Sequence, residues 1–239
     1  MLITLVSAKG APGVTTAALA LVAAASPAQG LAVEMDPSGG DVECLLGGTG
    51  TSPGLLEVAV DLRRDIHPDA LLARAVEAPK GVRVIIGPTN ETQSSSALAA
   101  AGTRLPAMLA SLDAVVVADA GRWSRSQPTA ARVQGSTVVA VVLQPTVAGV
   151  EHSRELVQQL RGLGIGAITA VTIGDRPYPA IEVAAALGVP VAGTIAFDPG
   201  GVNALLTGGA SRQWRRSWLA RSAAETLAGL THIGTGVAV

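Results

Sequence analysis

Short runs of small and branched aliphatic residues recur along the chain, at Leu2–Val6, Leu31–Met35, Val82–Gly87, Ala114–Asp119, Thr137–Leu143, Ala167–Ile173 and Val191–Ala196. Each is too short for a buried helix and has the β-branched content of a strand covered on both faces. Between most of them lie Ala/Leu-rich stretches of helical length, notably Val14–Ala25, Ser95–Leu112, Val147–Leu163 and Ile181–Leu187. Alternation of this kind predicts parallel strands joined by crossover helices. The expected architecture is a doubly wound α/β fold, a mostly parallel seven- or eight-stranded sheet with helices on both faces. The 239 residues suit one domain spanning 1–239. Aromatic residues make up only 2% of the chain, so the core must be built from Ala, Val, Leu and Ile under close-packed helices.

Local signals place the boundaries. Gly30, Gly164 and Gly188 each follow a helical run and precede a strand, where a left-handed C-cap is expected. Pro68 and Pro128 stand where helices can begin. Ser94-Ser95-Ser96 reads as a polar helix cap. Residues 47–54, GGTGTSPG, read as a loop rather than a linker. The lone Cys44 excludes an internal disulfide and a cysteine zinc site, fits a reducing cytoplasm, and is expected to be a small buried hydrophobe.

Net charge is −1 and 15 of the 17 basic residues are Arg, so general nucleic-acid coating is not expected. The opening MLITLVSAKG lacks a basic n-region and reads as a strand rather than a signal peptide. No apolar stretch has the length of a membrane span, so a soluble, cytoplasmic protein is expected. His67, His152 and His232 are widely separated and share no metal-ligand spacing.

Ser7-Ala8-Lys9-Gly10-Ala11-Pro12-Gly13-Val14-Thr15-Thr16 lies directly after the first strand and before an Ala/Leu helix. Small residues there let successive backbone amides curl around a phosphate, and the helix that follows presents its positive end. Gly10, Ala11, Gly13, Val14, Thr15 and Thr16 are the candidate phosphate contacts, with the Thr15 hydroxyl placed for Mg²⁺. The strict pattern G-x-x-x-x-G-K-[ST] fails twice, at Ala8 and at Val14. A glycine-rich turn without ligand is the alternative reading of the loop.

Lys9 to Thr16 resembles the deviant Walker A motif, KGGxGKTT, of the MinD/ParA family of dimeric P-loop ATPases. Companion segments follow in the family's order. Glu34-Met35-Asp36-Pro37-Ser38-Gly39 resembles its DxDPxG segment, Val115 to Gly121 its hhhhDxxG Walker B strand, and Gln144-Pro145-Thr146 the loop before its next long helix. Leu187 to Asp198 is similar to LGxPxxGxIPxD. The resemblance implies that Lys9 reaches a dimer partner's phosphates, that Glu34 and Asp36 act on Mg²⁺ and the attacking water, and that Thr15, Asp36 and Asp119 form the metal site. ATP and Mg²⁺ are the implied cofactors.

Two departures bear on chemistry. Val14 stands where the family has a lysine on the β- and γ-phosphates. Losing one charge-assisted hydrogen bond, roughly 1.5–3 kcal/mol, weakens binding by about tenfold to a hundredfold. The segment Val171–Arg176 lacks the family's adenine-contacting Asn.

The expectation is therefore a divergent MinD/ParA-like ATP-binding protein, a weak or slow ATPase acting as a dimeric spatial organiser of a partitioning, pilus or secretion machine. The alternative is a nucleotide-free pseudo-ATPase scaffold, similar to the atypical CpaE/TadZ branch. A homodimer and a protein partner are expected. The segment Arg212–Arg221 interleaves Arg and Trp and reads as a terminal helix packed on the domain, with peripheral membrane contact or DNA binding as its rival uses.

Overall fold

The computed structural model describes residues 1–9, 12–25, 30–48, 52–64, 66–124, 129–207 and 211–236. One sheet holds eight strands: β1 (Leu2–Ser7), β2 (Gly30–Glu34), β3 (Val76–Ala78), β4 (Val82–Ile85), β5 (Val115–Arg122), β6 (Val138–Leu143), β7 (Ile168–Ile173) and β8 (Val191–Ile195). Their order is β3-β4-β2-β5-β1-β6-β7-β8. Every neighbouring pair is parallel except β3–β4 at the edge. All the aliphatic runs of the sequence are strands of this sheet. Only the three-residue β3 escaped, because it is too short to show any periodicity.

Helices cover both faces: α1 (Val14–Ala24), α2 (Val42–Leu45), α3 (Leu55–Asp61), α4 (Glu91–Ala101), α5 (Arg104–Ala110), α6 (Thr129–Val133), α7 (Val147–Gly162), α8 (Ala180–Leu187), α9 (Pro199–Leu206), α10 (Ser211–Arg216) and α11 (Trp218–Gly234). Side chains alternate across each strand. Ile3 and Leu5 of β1 therefore join the core under α1, α9 and α11. Leu2 and Val6 face the other way, Leu2 toward α3 to α5 and Val6 toward α7 and α8. Leu5 and Leu21 are fully buried, and truncating either to Ala would cost about 2–5 kcal/mol.

α11 packs on β8 and α1, as expected of a terminal helix docked on the domain. The Arg212–Arg221 segment is not one helix but α10 and the start of α11, separated at Ser217; Trp214 of α10 and Leu219 of α11 are buried, while Trp218 is exposed with the Arg221 guanidinium 4.2 Å from its ring centre. Among the described residues no helix is long and apolar enough to cross a membrane.

Several local expectations need correction. The helix expected over Ser95–Leu112 is two helices, because Gly102 takes φ 52° and ends α4. Asn90, not the serine run, caps α4, its side-chain oxygen accepting from Gln93 N at 3.2 Å. Gly188 does cap α8 in the left-handed region, and Gly164 takes φ 75° just beyond α7. Gly30 instead opens β2. Its lack of a side chain matters there because a Cβ would come within 2.9 Å of Val22 Cγ1 on α1. Cys44 is exposed, not buried. Pro68 begins a 3-10 turn, Pro68–Arg74, rather than an α-helix. Pro128 and the centre of the 47–54 loop lie outside the described residues.

Candidate functional site

The chain leaves β1 toward one edge of the sheet, and from β5 it crosses β1 to reach β6 on the other side. The reversal falls beside β1, at the carboxyl ends of the strands, where open α/β sheets place their ligands. Residues 7–9 and 12–16 lie at that crevice.

Gly13 makes the turn from β1 into α1, with φ 103° and ψ 31°, a left-handed conformation that favours glycine. It is the N-cap residue of α1, and among the described residues no side chain caps that helix end. The first-turn amides are therefore left for an anion. Gly10 and Ala11, two of the expected phosphate contacts, lie outside the described residues. Val14 is 6% exposed and packs into the core cluster formed by α1 and the sheet, so its side chain contributes to stability and not to the mouth of the loop. Lys9 is exposed.

Thr15 projects from the first turn of α1 and donates its hydroxyl to Asp119 Oδ2 at 2.6 Å. Asp119 Oδ1 accepts Gly121 N at 2.9 Å. Parallel register explains the convergence. Asp119 is aligned with Leu5 of β1 on one side and with Glu34 of β2 on the other. Burial pushes the Asp119 carboxyl up to about 6, against the lowering effect of the Thr15 and Gly121 hydrogen bonds.

The carboxylates of the Glu34–Asp36 segment differ in setting. Glu34 is 3% exposed. Its Oε1 accepts Asp41 N at 2.9 Å and Val42 N at 3.0 Å, and its Oε2 accepts Gly87 N at 3.0 Å. Burial nevertheless raises it to about 7, because desolvation outweighs these backbone donors. Asp36 is half-buried, with Oδ1 accepting Ser38 N at 2.8 Å. Its Oδ2 lies over Gly121, where φ is 62° and a Cβ would overlap the carboxylate. Ser94, read from sequence as a cap, instead donates its buried hydroxyl to Asp36 O at 2.6 Å and so fixes this segment from α4.

Two cavities flank the loop. One of about 280 Å³ lies on the α7 side, lined by Lys9, Pro12, Gln144, Thr146 and His152 among others. The second, about 530 Å³, runs from Gly13 and Thr16 to Ile173, Ile195, Phe197, Asn203 and Leu206. Its size and apolar lining with a few polar groups are those of a small-molecule site. Phe197 is 79% exposed at its rim. Sequence reasoning did not single out Phe197 or Asn203 as site residues. The signal available was an aromatic side chain in a chain nearly without them, placed just before the Asp198 that caps α9.

The oxygen donors of Thr15, Asp36 and Asp119 suit a hard cation such as Mg²⁺. Among the described residues no cluster of three or more His, Cys, Asp and Glu forms a metal cage.

No family model and no curated protein matches the sequence. Solved structures do match. A ParA family ATPase from Chlorobium tepidum superposes with a TM-score of 0.75 at 18% identity, covering 95% of this chain and 98% of that one. The septum site-determining protein MinD from Pyrococcus horikoshii, complexed with Mg-ADP, gives 0.71 at 20% identity over 95% and 93%. An ATP complex of a McdA variant from Cyanothece gives 0.63 at 19% identity over 100% and 98%. The eight-stranded, mostly parallel sheet with helices around it is the fold of the MinD/ParA P-loop ATPases.

Proposed function

We propose that this chain binds ATP with Mg²⁺ at the uncapped N-terminus of α1 and works as a slow, dimeric ATPase that positions another cellular component. The observation that carries the reading is the alignment of three features. The α1 amides have no side-chain cap among the described residues, the Thr15–Asp119 hydrogen bond lies beside them, and a cavity of about 530 Å³ opens from Gly13 and Thr16 toward Phe197 and Asn203. Solved structures of the same fold hold Mg-ADP and ATP.

In this reading the amides of Gly13, Val14, Thr15 and Thr16 hold the phosphates in place of the missing lysine. Thr15, Asp36 and Asp119 would hold Mg²⁺. Mg²⁺ bound there supplies positive charge to the phosphate oxygens. Asp36, half-buried and anchored by Ser38 N, orients the attacking water. Glu34 takes a supporting role. Its three acceptor bonds tie the start of α2 and the loop after β4 to β2, which leaves Asp36 as the carboxylate free to meet water. Lys9, exposed beside the mouth, is positioned to meet the phosphates of a second copy across a homodimer. A protein partner and a cytoplasmic setting complete the proposal, and nucleic acid does not enter it.

The rival is a nucleotide-free scaffold, favoured by the burial of Val14 in the core. Calorimetric titration with ATP and Mg²⁺ separates the two. Saturable binding at millimolar ligand or below, weakened at least about tenfold in Thr15→Val, supports the nucleotide reading. No binding at 10 mM ligand leaves the scaffold. Hydrolysis is then compared in wild type, Lys9→Ala and Asp36→Ala. Activity equal in all three would remove these residues from the mechanism.

A further inference from the structure

Arg132 belongs to α6, the short helix between β5 and β6, and no sequence motif marks it. It is 3% exposed, and among the described residues it is the only Lys or Arg that is buried. Its Nη1 donates to Ala120 O at 2.6 Å and Met35 O at 3.3 Å. One guanidinium nitrogen thus bridges the ends of β5 and β2, at the residues that adjoin Asp119 and Asp36 in the chain. Its Nη2 is buried with no hydrogen-bond partner among the described residues. Burial pulls the guanidinium down to about 10 and the fields of Asp36 and Asp119 oppose that change, so it stays charged at neutral pH.

A buried cation with an unpaired nitrogen is expensive unless its charge is balanced nearby. The carboxylates of Glu34 and Asp119 are equally buried, and Asp36 adjoins them. Val14, the residue of the first turn of α1 nearest Thr15, is apolar and faces the core, so it brings no charge to them. We propose that Arg132 is the internal counter-ion of this site, supplying from the β5–β6 connection a buried positive charge to the Asp36 and Asp119 carboxylates, and that it sets their spacing by clamping Met35 and Ala120. The proposal rests on the reading of Asp36 and Asp119 as the site. Arg132 acts through those carboxylates and is a positioning residue.

A double-mutant cycle in metal-free, nucleotide-free buffer at pH 8 tests it. Arg132→Gln is expected to lower the melting temperature by about 6–12 °C. Asp119→Asn should then raise the melting temperature by at least about 3 °C more in the Arg132→Gln background than in wild type, since removing one carboxylate relieves the charge left unbalanced. Arg132→Lys keeps the charge but not the bridging fork. It should melt lower than wild type yet respond to Asp119→Asn as wild type does. Equal gains from Asp119→Asn in all backgrounds would make Arg132 a mechanical clamp only and overturn the counter-ion role. If Arg132→Gln does not fold alone, folding recovered by adding Asp119→Asn supports the proposal, and failure in both backgrounds overturns it. Wild type titrated with ATP and Mg²⁺ alongside keeps the two ideas apart. Absence of binding removes the nucleotide site and leaves the outcome of the cycle unchanged.

Discussion

Replacing Asp119 by Asn should stabilise the metal-free protein. The asparagine fits the existing bonds, because its oxygen can accept Gly121 N and its amide can donate to Thr15 Oγ1 where the carboxylate now accepts. What changes is the charge. The Asp119 carboxyl moves from 3.8 to about 6 on burial, so ionising it in the folded protein costs about 3 kcal/mol. For an acid whose folded value is raised, the stabilising contribution is complete below 3.8. It is lost as pH climbs through about 6. The variant should therefore exceed wild type by about 3 kcal/mol at pH 8, or about 6–12 °C in melting temperature for a chain of this size. At pH 4.5, where wild-type Asp119 is protonated, most of that advantage should vanish. Thermal and urea unfolding of both proteins in EDTA at the two pH values measure this. A variant no more stable than wild type at pH 8, or one equally favoured at both pH values, would refute the argument that burial governs this carboxylate.

Glu34 adds a second prediction of the same sign. Its value rises from 4.5 to about 7, so stability of the metal-free protein should fall as pH rises between those values, and a urea-midpoint profile that climbs instead contradicts it. Gly121→Ala forces a side chain into the left-handed region and onto the Asp36 carboxylate; a loss of about 2–4 kcal/mol is expected by chemical denaturation, with weaker ATP binding. Phe197→Ala should leave unfolding nearly unchanged, since the ring is 79% exposed, while lowering affinity for ATP more than for inorganic triphosphate, which has no base to fill the cavity.

The sheet was legible because buried parallel strands write themselves as uninterrupted aliphatic runs, and a run such as Thr137–Leu143 admits few other structures. The turn at Gly13 that opens α1 was legible from its place between such a strand and a helix. What sequence could not show depends on contacts between distant residues. Nothing about Arg132 marks it as buried, because its partners are the carbonyls of Met35 and Ala120. Ser94 passed for a helix cap because serines are common there, whereas Asn90 caps α4 and Ser94 holds Asp36. Glu34 and Asp36 look alike in the motif. Only the fold separates them, one sealed by three backbone donors and the other half-open beside Gly121.

The central claim is that backbone amides at the start of α1 hold a phosphate without a lysine. Amide-resolved NMR of the isotopically labelled protein, titrated with ATP and Mg²⁺, tests it directly. The account predicts saturable shifts at Val14, Thr15 and Thr16, accompanied by Gly121. Shifts confined to other regions, or none at 10 mM ligand, would contradict it.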